Sequence, residues 1–270
     1  MNQDRSWATA ITEIKKNEIR LRGYRIDALM GQITFTQAIY LAMMGELPAP
    51  ETATLLDAIL VASVDHGASP PSVLAARTAA GTGAPLNAAI AAGVLSINRH
   101  HGGAIENSMK LIKNALERAH DESETVTQAA TETVKEARRT GQRLPGFGHR
   151  VHRTDPRARR LFELAEKLGV AGKAVIVTRA LESALEQQTG RHLPINVDGA
   201  IAALLTDLGF PIPLSNAFFI IARIPGLVAH AVEETTRERP MRRIDPTRHT
   251  YDGPPARDLG KNAIDTDPDI

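Results

Sequence analysis

The sequence contains no cysteine among its 270 residues. This absence excludes disulfide bonds, thiolate metal sites and a cysteine nucleophile. An excess of charge of one sign is also missing, because 32 Lys and Arg residues balance 31 Asp and Glu residues. We therefore expect no nucleic-acid partner, although arginines that cluster locally can still bind small anions.

Motifs for nucleotides, signal peptides and internal repeats are missing too. No G-x-G-x-x-G follows a strand-like segment, and no G-x-x-x-x-G-K-[ST] is present. The first 16 residues have no apolar stretch of signal-peptide length. The uncharged run 78–98 is mainly Ala, Gly, Thr and Asn and contains Pro85, so it predicts a tightly packed internal helix instead of a membrane span. We expect a cytoplasmic protein without a membrane partner.

Helical periodicity dominates the rest of the chain. Apolar residues at spacings of three and four predict an all-α fold. The predicted helices cover residues 36–44, 54–64, 87–97, 105–119, 122–140, 156–168, 175–189 and 199–208. Only segment 18–25 alternates apolar and charged residues like a strand. The tail after Glu238 lacks periodicity, which predicts an extended or partly disordered arm.

Two helix starts carry distinct signals. Asp155 stands directly before Pro156, the preferred order of an N-cap and a first helical residue. A last helix is expected to be capped by Ser215 or Asn216, and to resume toward Glu234 after a bend at the Pro-Gly pair 225–226.

Several polar residues occur at loop–helix junctions. His149 follows two glycines in Leu-Pro-Gly-Phe-Gly-His, a loop whose backbone N–H groups can approach a ligand, although an exposed loop fits equally well. Asp198 precedes an apolar helix, where capping competes with an acid–base role. His100 and His101 form another junction, and the arginines within 219–223 and 237–243 are either carboxylate ligands or solvated. We expect no metal site, because the spacing of the histidines does not supply enough ligands.

Taken together, these segments resemble the citrate synthase superfamily. The matching pieces are LRGYRIDALMGQITFTQAIYLAMMGELP, DHGASPPSVLAARTAAGTG, HHGGAIE, PGFGHRVHRTDPRA, NVDGAIAALLTDLGFP and AFFIIARIPGLVAHAVEE. They extend over roughly residues 18–243. The long helical stretch of citrate synthases between the GELP and DH segments is missing here. This compact form, with NVDGA at the catalytic aspartate, resembles stand-alone citryl-CoA lyase and the corresponding module of ATP-citrate lyase.

The resemblance implies a role for individual residues. His101 would hold the thioester oxygen as the enol forms, His149 would bond the citryl hydroxyl and help to remove its proton, and Asp198 would act at the acetyl carbon. The residues implied in substrate binding are His66, Arg157, Phe219, Arg223 and Arg239, the last of which would reach the partner's site. Those implied in coenzyme A binding are Leu144, Pro145, Gly146, Phe147 and Gly148, with Arg153 near a phosphate.

The resemblance also implies an overall organisation. A two-lobed subunit would combine residues 1–102 and 209–270 in a large domain and 103–208 in a small one that closes over the site. It would form a homodimer or larger oligomer and cleave citryl-CoA to acetyl-CoA and oxaloacetate. No tightly bound cofactor is implied, and a separate enzyme would supply citryl-CoA. The alternatives are a compact citrate or 2-methylcitrate synthase and a non-catalytic binding subunit.

Overall fold

The computed structural model of the chain describes residues 7–98, 101–121, 125–149 and 152–242. Within these ranges the fold is mainly helical, as predicted, with one small antiparallel sheet in the order β1-β2-β3. The strands are β1 Thr12–Lys15, β2 Glu18–Leu21 and β3 Tyr24–Arg25. The helices are α1 Ile26–Leu29, α2 Phe35–Met44, α3 Pro50–Ser63, α4 Pro71–Gly81, α5 Leu86–Leu95, α6 Ala104–Asp121, α7 Val126–Arg139, α8 Pro156–Lys167, α9 Lys173–Thr189, α10 Val197–Asp207 and α11 Ser215–Arg237.

The predicted helices match observed ones within a few residues, and the strand-like segment 18–25 forms β2 and β3. Local signals explain this agreement, since Thr34 and Thr125 begin α2 and α7 with complete capping boxes. Helix α4 has no counterpart among the predicted helices. Residues 122–124 of the predicted fifth helix and the tail beyond 242 lie outside the described residues.

The uncharged run 78–98 does not form a single internal helix, although its part 87–97 matches α5. Helix α4 ends at Gly81, Gly83 takes a left-handed conformation at φ +91°, and Pro85 caps α5. A left-handed glycine ends the first helix and the proline after it starts the second. The apolar composition of the run does not prevent this break. Helix α5 is also not internal, because Leu86 and Leu95 are 46% and 77% exposed.

The start and the interruption predicted for the last helix are both corrected, and the bend at Pro225 stays a prediction. Leu214, after a 3-10 turn Ile212–Leu214, occupies the N-cap position, and neither Ser215 nor Asn216 serves as the cap. Helix α11 is continuous through Pro225. A proline removes one backbone hydrogen bond, and the buried face of α11 compensates by packing against α3, α4, α5 and α6.

Substituting Gly226 with alanine is expected to reduce the free energy of unfolding by about 1–3 kcal/mol. A Cβ atom at this position would lie 2.4 Å from the backbone oxygen of Val64, which cannot move aside as a side chain can. Urea unfolding followed by circular dichroism measures the change. Gly81→Ala in α4 is the matched control, since its Cβ would meet nothing closer than 3.4 Å and should leave stability unchanged or raised. Equal stability of the two variants would contradict this prediction.

The helices pack in two groups that meet along one apolar core. Helices α6 to α10 contact one another, and α11 packs on α3, α4 and α5. A single cluster of buried side chains extends from Leu55 in α3 through Ile201 in α10 to Phe218 in α11. Contacts of α3 with α8 and of α6 with α11 join the groups. The predicted lobe boundaries, and closure of one lobe on the other, stay predictions.

One described segment, Ile212–Arg237, is long and apolar enough by composition to cross a membrane, with a mean hydropathy of 1.6 in its most apolar window. Core helices of globular proteins meet the same criterion. Here the segment buries Arg223 and Glu234 inside the fold and contacts four other helices, so we describe it as the core helix.

Candidate active site

The loop before α6 places His101 against α4 and α11. Its Nε2 atom lies 2.8 Å from the Ser72 hydroxyl, and its ring meets the Phe219 ring edge-on at 5.7 Å. Gly102 has φ +84°, and a Cβ atom there would lie 2.8 Å from Phe219. Glycine is therefore required for the loop to approach the phenyl ring. Sequence reasoning missed Ser72, which carries no local signal and is completely buried. His100 lies outside the described residues.

The glycine-rich loop 144–148 is held directly against the start of α10. The backbone N–H of Gly148 donates to Pro194, and that of Asn196 donates to Gly146. Gly146 and Gly199 are in such close contact that a Cβ on either one would clash with the other's backbone. These contacts bring the segments of His149 and Asp198 together, as the geometry of a shared site requires. Coenzyme A binding by Leu144, Pro145, Gly146, Phe147 and Gly148 stays a prediction.

His149 is half-buried and accepts a backbone hydrogen bond. Its Nδ1 atom accepts a hydrogen bond of 3.0 Å from the backbone N–H of His152. Since a backbone N–H can only donate, Nδ1 carries no proton, and a neutral ring then carries its proton on Nε2. Burial, and secondarily the nearby His152, lowers the pKa of His149 and favours that neutral ring.

Asp198 is not the cap of its helix. Asn196 takes that role, because its side-chain oxygen accepts the N–H groups of Asp198 and Gly199, both at 3.1 Å. The carboxyl of Asp198 is thereby left for other chemistry. Burial raises its pKa, an effect that the positive charges of Arg157 and Arg223 oppose. A carboxyl of raised pKa at a helix start is suited to acid–base catalysis.

Asp155 was predicted only as a helix cap, and the structure gives it more partners. It caps α8 and is fully buried, with its two oxygens accepting Nε and Nη2 of Arg157 at 3.0 and 2.8 Å. One oxygen also accepts the backbone N–H of Val197 at 3.1 Å. Burial tends to raise the pKa of Asp155, but the hydrogen bonds and charge of Arg157 outweigh it and lower the pKa. Asp155 therefore orients Arg157 and anchors the start of α10.

Asp155→Asn is expected to lower the free energy of unfolding by about 2–4 kcal/mol at pH 7, because it breaks a buried ion pair. A carboxyl whose folded pKa is lowered stabilises the protein above its unfolded pKa and loses that contribution as the pH falls through the folded value. The difference from wild type should therefore shrink below about pH 4 in urea unfolding curves. Glu163→Gln, on an exposed face of α8, is the control and should change stability by less than about 0.5 kcal/mol. A pH-independent difference would refute the prediction.

Arg223 is 2% exposed and only partly hydrogen-bonded. Its Nε donates to the Ser63 carbonyl at 3.2 Å, and its guanidinium lies 4.8 Å from the centre of the Phe219 ring. Among the described residues its Nη1 atom has no hydrogen-bond partner. Burial lowers the pKa of Arg223. A buried guanidinium N–H without a partner is a costly arrangement, and a carboxylate ligand would satisfy it.

The charges of these groups act on one another. Burial lowers the pKa of His66 and of His101, and the positive charge of Arg223 lowers both further. Arg157 acts in the same way on His66, which keeps much of its surface accessible. The structure thus brings together seven predicted residues from distant parts of the chain, namely His66, His101, His149, Arg157, Asp198, Phe219 and Arg223.

Two predicted binding residues lie apart from this cluster. Arg153 is exposed, and its carbonyl lies 3.1 Å from Nε2 of His192. Arg239 is exposed beyond the end of α11. Across the described parts of the chain, no group of three or more His, Asp or Glu side chains is placed to hold a metal ion.

Comparison with known proteins places this geometry in a family. The model "Citrate synthase, C-terminal domain" matches residues 41–244. The citrate synthase of Haloferax volcanii is 33% identical over 73% of this chain and 51% of its own length. The citrate/2-methylcitrate synthase of Bacillus subtilis is 32% identical over 78% of this chain and 54% of its own. The chain thus spans about half the length of the curated relatives it matches.

Solved structures include one of similar size. The citryl-CoA lyase of Hydrogenobacter thermophilus superposes with a TM-score of 0.86 and 41% identity, over 94% of this chain and 98% of that one. The ATP citrate lyase of Methanothrix soehngenii, at 20% identity and a TM-score of 0.80, shares the fold over 94% of this chain and 43% of its own. The family model matches most of the chain, and the fold agrees with that match. The protein therefore belongs to the citrate synthase family.

Proposed function

We propose that this protein is a citryl-CoA lyase that cleaves citryl-CoA into acetyl-CoA and oxaloacetate. The observation that carries the proposal is that an Asp198 carboxyl of raised pKa and His101 both lie near the partly unsatisfied Arg223, while the loop of His149 is hydrogen-bonded to the start of α10. The nearly complete overlap with a citryl-CoA lyase chain favours cleavage over condensation. Arg223 and Arg157 would bind the carboxylates of the oxo-acid half.

Cleavage begins at the tertiary hydroxyl of the citryl group. The hydroxyl proton leaves, its oxygen becomes a carbonyl, and the bond to the thioester methylene breaks. His149 would contact this oxygen through Nε2. To accept the proton there, the ring must release the His152 hydrogen bond and carry its own proton on Nδ1. In the tautomer that the His152 hydrogen bond implies, Nε2–H would donate to the oxygen instead, which suits the reverse reaction.

The electron pair of the broken bond passes to the thioester, forming an enolate. His101 would stabilise the enolate oxygen. With Nε2 facing Ser72, the Nδ1 atom of His101 is the ring donor toward substrate, and the serine hydroxyl then donates to Nε2. Asp198 delivers a proton to the methylene carbon and completes acetyl-CoA. The lowered pKa of His101 favours a neutral ring with one N–H.

Binding of the thioester and assembly of the protein extend the proposal. Coenzyme A would lie along the loop 144–148 with Arg153 near a phosphate, and no further cofactor would be required. The exposed apolar residues Leu86 and Leu95 of α5 would pack in a homodimer, with Arg239 reaching the neighbouring copy. The protein would act in the cytoplasm and depend on a separate enzyme that forms citryl-CoA.

Two alternatives remain for the same geometry. A condensing citrate or 2-methylcitrate synthase would use these side chains in the reverse direction, and the names of the Haloferax volcanii and Bacillus subtilis relatives favour it. A non-catalytic binding subunit would bind the same ligands without turnover. The presence of both histidines and the aspartate argues against the second alternative.

The test is a product analysis of purified protein with citryl-CoA. We expect acetyl-CoA and oxaloacetate in equal amounts, with no free coenzyme A. Acetyl-CoA with oxaloacetate is assayed in parallel, following free coenzyme A with a thiol reagent. Stoichiometric release of free coenzyme A with citrate would establish a synthase instead. Absence of turnover in both assays, with coenzyme A binding retained, would favour the binding subunit.

A further inference from the structure

The end of α11 contains a buried carboxylate shared by two arginines. Glu234 is 3% exposed, and its Oε2 accepts Nε of Arg77 at 2.6 Å. Its Oε1 accepts Nε of Arg242 at 2.7 Å. We name these three residues the Glu234 clamp. The clamp joins α4, α11 and the segment that follows α11, which are distant in sequence.

The segment after α11 is fastened at a second point. The backbone N–H of Met241 donates to the Gly81 carbonyl at the end of α4, at 2.9 Å. Met241 has φ +56°, a left-handed conformation that costs a non-glycine residue about 1–2 kcal/mol. Such a conformation persists only where surrounding contacts enforce it. The adjacent Arg242–Glu234 pair is such a contact, so the end of the turn 238–241 is fastened to both α11 and α4.

Arg239 lies within this turn and is exposed. Within the described ranges it makes no hydrogen bond or ion pair. Its neighbours differ, since Arg237 pairs with Glu233 at 2.6 Å and Arg242 pairs with Glu234. Among the described residues, the turn therefore carries one exposed cation without an ion pair, while the arginines at 237 and 242 are paired.

We propose that Glu234 and Arg242 are positioning residues, which hold the turn 238–241 so that Arg239 is presented to the site of a second copy of this chain. This inference rests on the proposed function, in which Arg239 binds a substrate carboxylate across the dimer. The clamp lowers the entropy cost of binding, because the turn is already ordered before substrate arrives. Glu234 and Arg242 themselves do not touch substrate.

The alternative is a clamp that only fastens α11 to α4. Arg242→Met separates the two roles, because the Arg77–Glu234 pair between the helices stays intact while the turn loses its anchor. We expect a decrease of about 10–100-fold in kcat/KM with citryl-CoA, with no loss of helical content. Arg237→Met is the matched control, since it removes an exposed arginine of the same helix end without touching the turn, and it should leave kcat/KM unchanged.

A double-mutant cycle completes the test. Arg239→Ala is expected to reduce kcat/KM by about 100-fold, and Arg242→Met should add little in the Arg239→Ala background. Glu234→Gln should reduce kcat/KM to a similar extent as Arg242→Met does. Additive losses in the cycle, or wild-type kcat/KM for Arg242→Met beside an impaired Arg239→Ala, would overturn the positioning role. Absence of turnover by the wild type would instead overturn the proposed function, which distinguishes the two failures.

Discussion

Asp198→Asn is expected to reduce kcat for citryl-CoA cleavage by about 10²–10⁴-fold, the range contributed by a positioned general acid. Asparagine has nearly the same shape as aspartate but delivers no proton. The cap of α10 remains, because Asn196 and not Asp198 accepts the first N–H groups. Steady-state kinetics and binding of coenzyme A by calorimetry measure the two effects. A variant that keeps more than about a tenth of the wild-type kcat would remove Asp198 from the mechanism.

The same substitution carries a prediction for stability, which follows from the raised pKa of Asp198. A carboxyl whose folded pKa lies above its unfolded value destabilises the folded protein progressively as the pH rises through that interval. Above the folded pKa the full cost of burying the carboxylate remains, and asparagine carries no such cost. Asp198→Asn should therefore be at least as stable as wild type at neutral pH and above, as thermal unfolding will report.

Asp207→Asn, at the opposite end of the same helix, is the matched control. Its carboxylate accepts the N–H groups of Gly172, Ala174 and Val175 at the start of α9. Losing this cap should cost about 0.5–2 kcal/mol of stability and leave kcat nearly unchanged. The two substitutions thus have opposite expected patterns.

Arg223→Met is expected to raise KM for citryl-CoA, and the Kd of oxaloacetate, by about 10²-fold or more, because a charge-assisted carboxylate contact is lost. The substitution should destabilise the free protein much less than it weakens binding of the substrate. Methionine fills similar space beside Phe219 and removes a buried Nη1 atom that lacks a partner in the described fold. Calorimetric titration with oxaloacetate and thermal unfolding measure both effects.

The control for this prediction is Arg179→Met on α9. Arg179 also lies over an aromatic ring, at 5.3 Å from the centre of Phe162, but it is exposed and pairs with Glu166. Its removal tests the contribution of a cation–π contact without a carboxylate site. We expect Arg179→Met to leave the KM for citryl-CoA unchanged. If Arg223→Met bound oxaloacetate as tightly as wild type does, the assignment of the carboxylate site would be wrong.

Local features of the sequence were enough to predict most helices. Spacing of apolar residues, capping threonines and the Asp-Pro start of α8 are properties of neighbours in the chain, and they act before tertiary packing does. The same reasoning misjudged the run 78–98, since it weighed composition above the Gly83 and Pro85 signals. It also assigned the cap of α11 to Ser215 or Asn216, where Leu214 and a preceding 3-10 turn begin the helix.

The predicted site residues came from family resemblance, because their identities carry the chemistry whereas their spacing does not. Ser72 and the second role of Asp155 had no signal in the chain. Each role depends on a partner that is distant in the sequence. Ser72 contacts His101, and Asp155 contacts Val197. Only a folded chain shows which polar groups become buried together.

The linear order of residues was therefore sufficient to predict most helices and to suggest candidates for the reacting groups. Three-dimensional packing was needed to show that Asn196 caps α10 and leaves Asp198 for chemistry, that Arg223 is buried with an unused N–H, and that Glu234 anchors the turn of Arg239. The physical reason is that burial removes water as a partner. The energy and proton affinity of a polar group then depend on contacts between distant segments, which local patterns do not encode.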